Sequence, residues 1–496
     1  MEVLRDCLPS SVRQTLMELP ESLDETYERI LKEIKKPNRA LARRVLQCLV
    51  VATRPLRVAE LAEVFAVDFD DAEGIPRLNS DWRWEDQEQA LLIACSSLIA
   101  IVEAGEVKAS DSDSDSEAND SVSEVEAGDS DRDGDSKEDA SESGLDVEAD
   151  RSDSDAENDD VHLHVEAGDL RIVQFSHFSV KEFLTSPRLA TAGREISNFH
   201  IDLGSAHTTL GQACLGVLLR IQDDVDGHTP KDHPLVRYAA EHWVAHAQFG
   251  EMSSCFHKGM EYLFDANKPH FRVWLTLCDI DRRPNNDAVF FSFAPYGKSR
   301  GAVPLYYAAL CGFHDLVMHL IIKHPQDVNA DGGYYMRPLV AALAGKHFRI
   351  ADLLHHNGAD PQCCGHLGNT PLHSATRYGS AEVVQKLIEF DADINAKNEV
   401  WATPLHWAPS NDHQFKDGSA LRLLLEHGAD INARASNGRT PLHVASSNGV
   451  LQVVRLLLEY GADVEMKRYD GKTSLQEAAK GGHDKVAELL REHGTK

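Results

Sequence analysis

Long apolar runs are missing from this 496-residue sequence: no stretch approaches the 18 or so consecutive apolar residues of a membrane-spanning helix. The first twenty residues carry Glu2, Arg5, Asp6, Arg13 and Glu18 and have no apolar centre of the secretory-signal kind. The expectation is a soluble protein without membrane insertion, cytoplasmic, with the nucleus left open. Paired, metal-type cysteines are also missing. The nine cysteines, at positions 7, 48, 95, 214, 255, 278, 311, 363 and 364, include no C-x-x-C and lie mostly among apolar neighbours. That pattern suits buried free thiols in a reducing compartment rather than disulfides or zinc ligands. Basic residues are scarce, 50 Lys and Arg against 80 Asp and Glu. No basic stripe of the kind that phosphate-backbone binding requires is present, so nucleic acid is not an expected partner.

Signatures of catalysis are equally thin. There is no G-x-S-x-G and no evident Cys/His nucleophile or paired carboxylate arrangement. Two G-K-[ST] triplets, Gly297-Lys298-Ser299 and Gly471-Lys472-Thr473, lack the leading glycine of a phosphate loop, which is Ser292 in one case and Met466 in the other. No catalytic residue, cofactor, metal or nucleotide is therefore expected, and the chain is read as a non-enzyme. His242 and His246, spaced i, i+4, have a zinc-compatible separation, but they sit in an aromatic, Ala-rich helical run and are expected to pack.

What is present is a chain long enough for two or three domains, with an apolar fraction of 42% and a charged fraction of 26%, both ordinary for globular proteins. The net charge of −30 is localised: residues 109–160 hold 22 Asp and Glu against Arg132, Lys137 and Arg151. With almost no aromatic or branched apolar content, that segment cannot offset the entropy of ordering and is expected to be disordered. VEAG begins at Val102, Val125 and Val165, and VEAD at Val147, as if the segment had grown by duplicating a hairpin edge. Ser112, Ser114, Ser116, Ser141 and Ser154 precede acidic residues in the manner acidophilic kinases favour. A solubilising expansion is the simpler reading, a regulated tail the other.

The C-terminal half is periodic. TPLH stands at Thr370–His373, Thr403–His406 and Thr440–His443, with degenerate copies at Val303, Arg337 and Thr473, so spacings run 34, 33, 33, 37 and 33 residues. Each copy closes alike, as in Gly428-Ala-Asp-Ile-Asn and Gly461-Ala-Asp-Val. Thr403 is suited to cap a helix, Pro404 to its first position and Leu405 to the interior. A second helix follows, typified by Val453, Val454, Leu456, Leu457 and Leu458, with Gly461 as a left-handed cap. One helix pair cannot cover its own apolar face, so neighbours must stack into a solenoid. The pattern resembles the ankyrin repeat, in six copies. The repeated His is expected to bond backbone between copies. The 37-residue spacing places extra polar residues, around 410–418, between the helices of the fourth.

The N-terminal half reads as helices (the run from Leu8 with Asp24 as a cap, 40–51, 58–65), then strands at 96–102 and 162–175, then a helix at 180–184. LPESLDETYERIL at 19–31, RPLRVAELAEVFAV at 54–67, CSSLI at 95–99 and FSHFSVKEFLTS at 175–186 resemble the winged-helix segment, named after GPI inositol-deacylase, of fungal NACHT and ankyrin proteins. YAAEHWVAHA at 238–247 and PHFRVWLTLCDID at 269–281 continue the likeness into a helical connector. The resemblance implies neither deacylase activity nor DNA reading. In that family the segment follows a P-loop NTPase, which this sequence does not contain.

The resulting expectation is a mainly α protein: an N-terminal helical segment (1–30), a winged-helix domain interrupted by the acidic insert (31–187), a helical connector (188–298) and ankyrin repeats (299–496). Its function is expected to be that of an adaptor binding a protein partner. The alternative is the transmission arm and sensor of a NACHT-type receptor. Within each repeat the Thr, Pro, Leu, Ala and Gly are committed to caps and packing, so specificity should lie at turn tips and at the ends of first helices. Those positions are Tyr334, Tyr335, Met336, His366, Asn369, Arg377, Tyr378, Glu399, Trp401, Ser447, Asn448 and Tyr469. Tyr335, Tyr378, Trp401 and Arg377 are expected to project along one concave edge.

Overall fold

A computed structural model describes residues 23–69, 75–84, 86–95, 97–103, 171–221, 233–250, 255–278, 280, 302–377, 380–407 and 418–494. The first helix, α1 (Leu23–Glu33), buries Tyr27 and Leu31, one turn apart, and carries acids in its first turn and Lys32 in its last, as the helix dipole favours. Asp24 lies inside that first turn rather than ahead of the helix, and its carboxylate takes a hydrogen bond from Arg188 at 2.7 Å. Helix α2 (Arg39–Val51) buries Ala42, Val45, Leu46 and Val50 at helical spacing. Pro55 stops further helix, the chain extends through β1 (Leu56–Arg57), and α3 (Val58–Val64) begins at once. Buried Glu60 secures this corner: it accepts the Arg57 backbone N–H at 2.8 Å and both arms of the Arg54 guanidinium at 2.8 and 2.7 Å.

A two-stranded ribbon, β2 (Val67–Asp68) with β3 (Arg77–Leu78), precedes α4 (Gln87–Cys95). Strands β4 (Ile99–Glu103) and β5 (Arg171–Phe175) then pair antiparallel from Ile99↔Phe175 to Glu103↔Arg171, and β1 adds to the other edge of β5. Alternation puts Ile99 and Val173 on the buried face. The first strand thus starts three residues later than its sequence suggested, and residues 162–170 lie outside the described residues, as does the whole acidic segment. Because Glu103 already faces Arg171, that segment joins two strands whose pairing is complete without it. Deleting residues 109–160 shortens the connection roughly fourfold, which in loop-closure terms favours the folded state by ~1 kcal/mol. The thermal melt is expected to stay level or rise slightly, and a large fall would show that the segment contributes to the fold.

Three short helices, α5 (Ser179–Leu184), α6 (Pro187–Thr191) and α7 (Arg194–Ser197), lead to the long α8 (Leu203–Leu218), which lies between α2 and α9 (Val236–Ala247). A second buried carboxylate, Glu63, accepts the Leu235 backbone N–H at 2.7 Å and the Arg83 guanidinium, tying α3 to the start of α9. Helices α10 (His257–Leu263) and α11 (His270–Leu277) complete the connector. Fully buried Trp243 of α9 contacts Trp274 of α11 (ring centroids 5.4 Å), Phe264 (6.4 Å) and Phe313 (5.3 Å). Phe313 belongs to the first repeat, so connector and solenoid share one aromatic core.

Helical pairs follow: α12 (Pro304–Leu310) with α13 (His314–Lys323), α14 (Pro338–Ala344) with α15 (Phe348–His356), and α16 (Pro371–Arg377) with α17 (Ala381–Glu389). A four-residue 3-10 turn (Pro404–Trp407) is paired with α18 (Ser419–Glu426), α19 (Pro441–Ser447) with α20 (Leu451–Glu459), and α21 (Ser474–Lys480) with α22 (Asp484–Gly494). Proline at the first turn, where its missing N–H costs nothing, opens all but the last of the inner elements. Gly358, Gly428 and Gly461 take the left-handed conformation after the outer helices (φ 86°, 91° and 88°). The described inner element of the fourth pair is a 3-10 turn where its neighbours are α-helices. Of the residues expected to form a polar loop there, around 410–418, all but Gly418 lie outside the described residues.

Candidate functional site

The solenoid's surface is defined by what its repeated polar residues already do. In each TPLH the His side chain reaches two ways. His373 Nδ1 accepts the Thr370 backbone N–H at 3.1 Å, and its Nε2 donates to the Ala402 carbonyl of the next repeat at 3.0 Å. His406 does the same with Thr403 (3.1 Å) and the Arg439 carbonyl (3.1 Å), and His443 with Thr440 (3.3 Å) and the Lys472 carbonyl (3.2 Å). Both bonds need the neutral ring with its proton on Nε2. Burial holds the imidazoles of His373 and His406 down to about 4, and lowers that of His443. These histidines therefore have no free lone pair for a metal or a substrate.

Two further sets of inter-repeat bonds were not read from the sequence, although the Asn of the first set closes a recurring Asp-x-Asn. Asn329, Asn395 and Asn432 accept the backbone N–H of Asp360 (2.9 Å), Asp430 (2.8 Å) and Asp463 (3.0 Å) in the following repeat. His347 and His483 bond back to the carbonyls of Leu310 (3.2 Å) and Ser447 (3.0 Å). The signal available was the His two residues after Gly345 and Gly481, where a Cβ would meet the ring at 2.6 Å.

The expected binding residues divide. Tyr335 is buried (5% exposed), its backbone N–H bonded to the Tyr306 hydroxyl at 3.1 Å, and it does not project from the surface. Asn369 is likewise buried (8%), its side-chain oxygen accepting from the Asn398 amide at 2.8 Å. Both corrections have one cause: a tip residue facing the next repeat is enclosed by it. Tyr334 and Met336 are half-buried against the core, and the Ser447 hydroxyl turns back to the Val444 carbonyl at 3.1 Å. Asn448 and Glu399 are exposed, as are Trp401 (58%) and Tyr469 (69%). Arg377, half-buried, lies 5.2 Å from the Trp407 ring centroid at the end of its inner helix. Tyr378 and the side chain of His366 lie outside the described residues.

Other constellations resolve as structure. His246 is fully buried, with Nε2 2.9 Å from the Tyr238 hydroxyl and Nδ1 2.9 Å from His207. Burial takes its imidazole down to about 3 and pushes the Tyr238 hydroxyl well above its usual range, so both stay neutral, sealed between helices. An open groove of about 400 Å³ between α10 and α13 is lined by His257, Asp315, Met318, His319 and Ile322. His257 and His319 each approach Glu261 to 3.0 Å there. No group of three His, Cys, Asp or Glu among the described residues is arranged to hold a metal ion. Gly471-Lys472-Thr473 is a repeat turn: Gly471 has φ 85° and the Thr473 hydroxyl caps α21. Gly297-Lys298-Ser299 lies outside the described residues. Among the described cysteines none is disulfide-bonded; Cys48, Cys95, Cys214, Cys311 and Cys363 are buried, whereas Cys255 and Cys364 are exposed, against expectation. No described helix is long and apolar enough to cross a membrane.

With stacked helix pairs, left-handed caps and Thr–His bonds in place, the class is defined: the C-terminal end of the chain carries ankyrin repeats. Residues 339–435 and 414–496 match the family described as Ankyrin repeats (3 copies). Over a longer span the chain is similar to azaphilone pigments biosynthesis cluster protein L of Monascus ruber, with 28% identity over 363 residues, 70% of this chain and 61% of that relative. It is 38% identical to ankyrin repeat and SOCS box protein 5 of Oryctolagus cuniculus over 108 residues, 22% of this chain and 32% of that protein. The chain thus spans less than two thirds of the length of these relatives. The crystal structure of the ankyrin repeat domain of Bcl-3 aligns with 39% of this chain and 87% of its own at 29% identity and a TM-score of 0.36.

Proposed function

We propose that this protein is a non-enzymatic adaptor that recognises a protein partner through its ankyrin-repeat surface, built from six repeats over 299–496. The observation that carries the reading is the use of the signature Thr and His groups in bonds within and between repeats, which leaves polar and aromatic groups at tips and inner-helix ends, among the described residues, free to specify a partner. Upstream, a winged-helix domain (31–187) and helical connector (188–298) serve as a second, mounting module. The order helix, strand, helix, helix, hairpin supports that assignment. No reaction, nucleotide, metal, cofactor or nucleic acid is part of this function, and the cytoplasm is its proposed location.

Affinity capture with the full chain tests it. Replacing Arg377 and Tyr378 together by Ala is expected to weaken capture by about 2 kcal/mol, in the range of hot-spot truncations, with the melt nearly unchanged. Unchanged capture would remove these residues from the site. Titration calorimetry with ATP is expected to give no saturable heat, and micromolar binding would overturn the non-nucleotide reading. The second reading, a transmission arm and sensor of a NACHT-type receptor, is favoured by the same N-terminal element order. A transcript running upstream of Met1 into a P-loop NTPase would decide for it.

A further inference from the structure

We propose that the turn tips of the last three helix pairs form a docking site for an extended segment of a protein partner in which carboxylates alternate with apolar side chains. The proposal rests on the reading of the array as a protein-binding surface and specifies where and what it binds. The three tips are joined through their backbones: the Val400 carbonyl accepts the Ser436 N–H at 2.9 Å, and the Asn437 carbonyl accepts the Tyr469 N–H at 3.4 Å. The middle tip, Ser436-Asn437-Gly438, has no large side chain. A Cβ on Gly438 would lie 2.9 Å from Tyr469 Cγ, so the ring rests on bare glycine backbone. Trp401 and Tyr469 therefore stand on the tips to either side of a low one, both largely exposed.

Each ring has a cation beside it, Lys397 Nζ at 5.8 Å from the Trp401 centroid and Arg434 Cζ at 5.8 Å from that of Tyr469. Exposed Lys467 is next to them, its carbonyl accepting from the Arg434 guanidinium at 2.9 Å. None of these three cations is ion-paired with a described carboxylate, whereas Arg468 and Lys472 are engaged by Asp470 and Glu477. Glu399 is the opposing exposed charge on the Trp401 tip.

The backbone at Trp401 is an independent pointer. Its φ is 59°, at the position occupied by Gly368, Gly438 and Gly471 (φ 70°, 77° and 85°) in three of the other tips. A non-glycine residue in this region is strained, and here the ring is not buried in return. Strain retained at an exposed aromatic beside unpaired cations is the pattern of a binding position. Two rings would take apolar side chains and three cations the carboxylates between them.

The test is fluorescence anisotropy on the full chain with three labelled 15-residue peptides: alternating Glu and Leu or Phe, the same with Lys for Glu, and the same with Ser for the apolar residues. The first is expected to bind, at least tenfold more tightly than the others, and to weaken as ionic strength rises. Trp401→Gly, and Lys397→Glu with Lys467→Glu, should each weaken it tenfold or more. Trp401→Gly should also leave the melt level or raise it. Equal binding of the Lys peptide, no binding of the acidic one, or a melt lowered by Trp401→Gly would overturn the proposal. So would binding seen only in a chain lacking residues 109–160, because the chain's own acidic segment would then be the occupant. Partner capture that persists undiminished in the Trp401→Gly chain refutes this docking site and leaves the adaptor reading standing; that reading fails only if the unaltered chain captures nothing.

Discussion

Trp243→Ala is expected to lower the unfolding free energy by about 3–5 kcal/mol, the cost of removing a fully buried large aromatic side chain. Its ring is the meeting point of the connector and the first repeat, against Trp274, Phe264 and Phe313. Trp274 cannot simply collapse into the space, because its indole N–H is held on the Ala240 carbonyl at 3.1 Å. The variant should therefore lose stability and also coupling, with denaturant melts of the two halves separating. A single transition displaced by less than about 1 kcal/mol would show that the joint repacks.

Acidification is expected to have the second large effect. Burial lowers the folded-state values of His373 and His406 from 6.5 to about 4. In the unfolded chain they titrate near 6.5, so the unfolded state binds protons first as pH falls. The stability contributed by the neutral rings is complete above pH 6.5 and is lost between 6.5 and 4. A depression of this size corresponds to roughly 3 kcal/mol for each ring. Urea midpoints of the full chain should fall steeply across that window. His406→Gln, which can still accept and donate but does not titrate, should flatten the slope, and an unaltered slope would place the pH dependence elsewhere.

The solenoid was legible because most repeats write their own fold locally, with a Thr, a Pro or both opening the inner element and, in several copies, a glycine closing the outer helix. The bonding role of the TPLH histidines was legible for the same reason, through their recurrence at one position. What could not be read was which way a tip residue faces. Tyr335 and Asn369 occupy tip positions like Trp401 and Tyr469, yet their surroundings are set by partners 29 residues away, Tyr306 and Asn398. The aromatic joint was hidden likewise, since Trp243, Trp274 and Phe313 belong to three different segments. Nothing in the sequence marked Glu60 and Glu63 of a short helix, and only the folded chain brings Arg54, Arg83 and the Leu235 N–H to them.

The 3-10 geometry at Pro404–Trp407 has a consequence for how the array comes apart. Stability in a stacked solenoid is a sum of what each unit contributes and what it shares with its two neighbours. Where the units before and after it open on the α-helices α16 and α19, this unit opens on a 3-10 turn, whose hydrogen-bond geometry is poorer, so that segment contributes less of its own. Opening there interrupts the neighbour-to-neighbour sum at one point and leaves the last two helix pairs as a block on one side and the units joined to the connector on the other. The proposed docking tips, which bridge Val400 to Ser436 across this boundary, are then where a bound segment would splice the two blocks into one cooperative length.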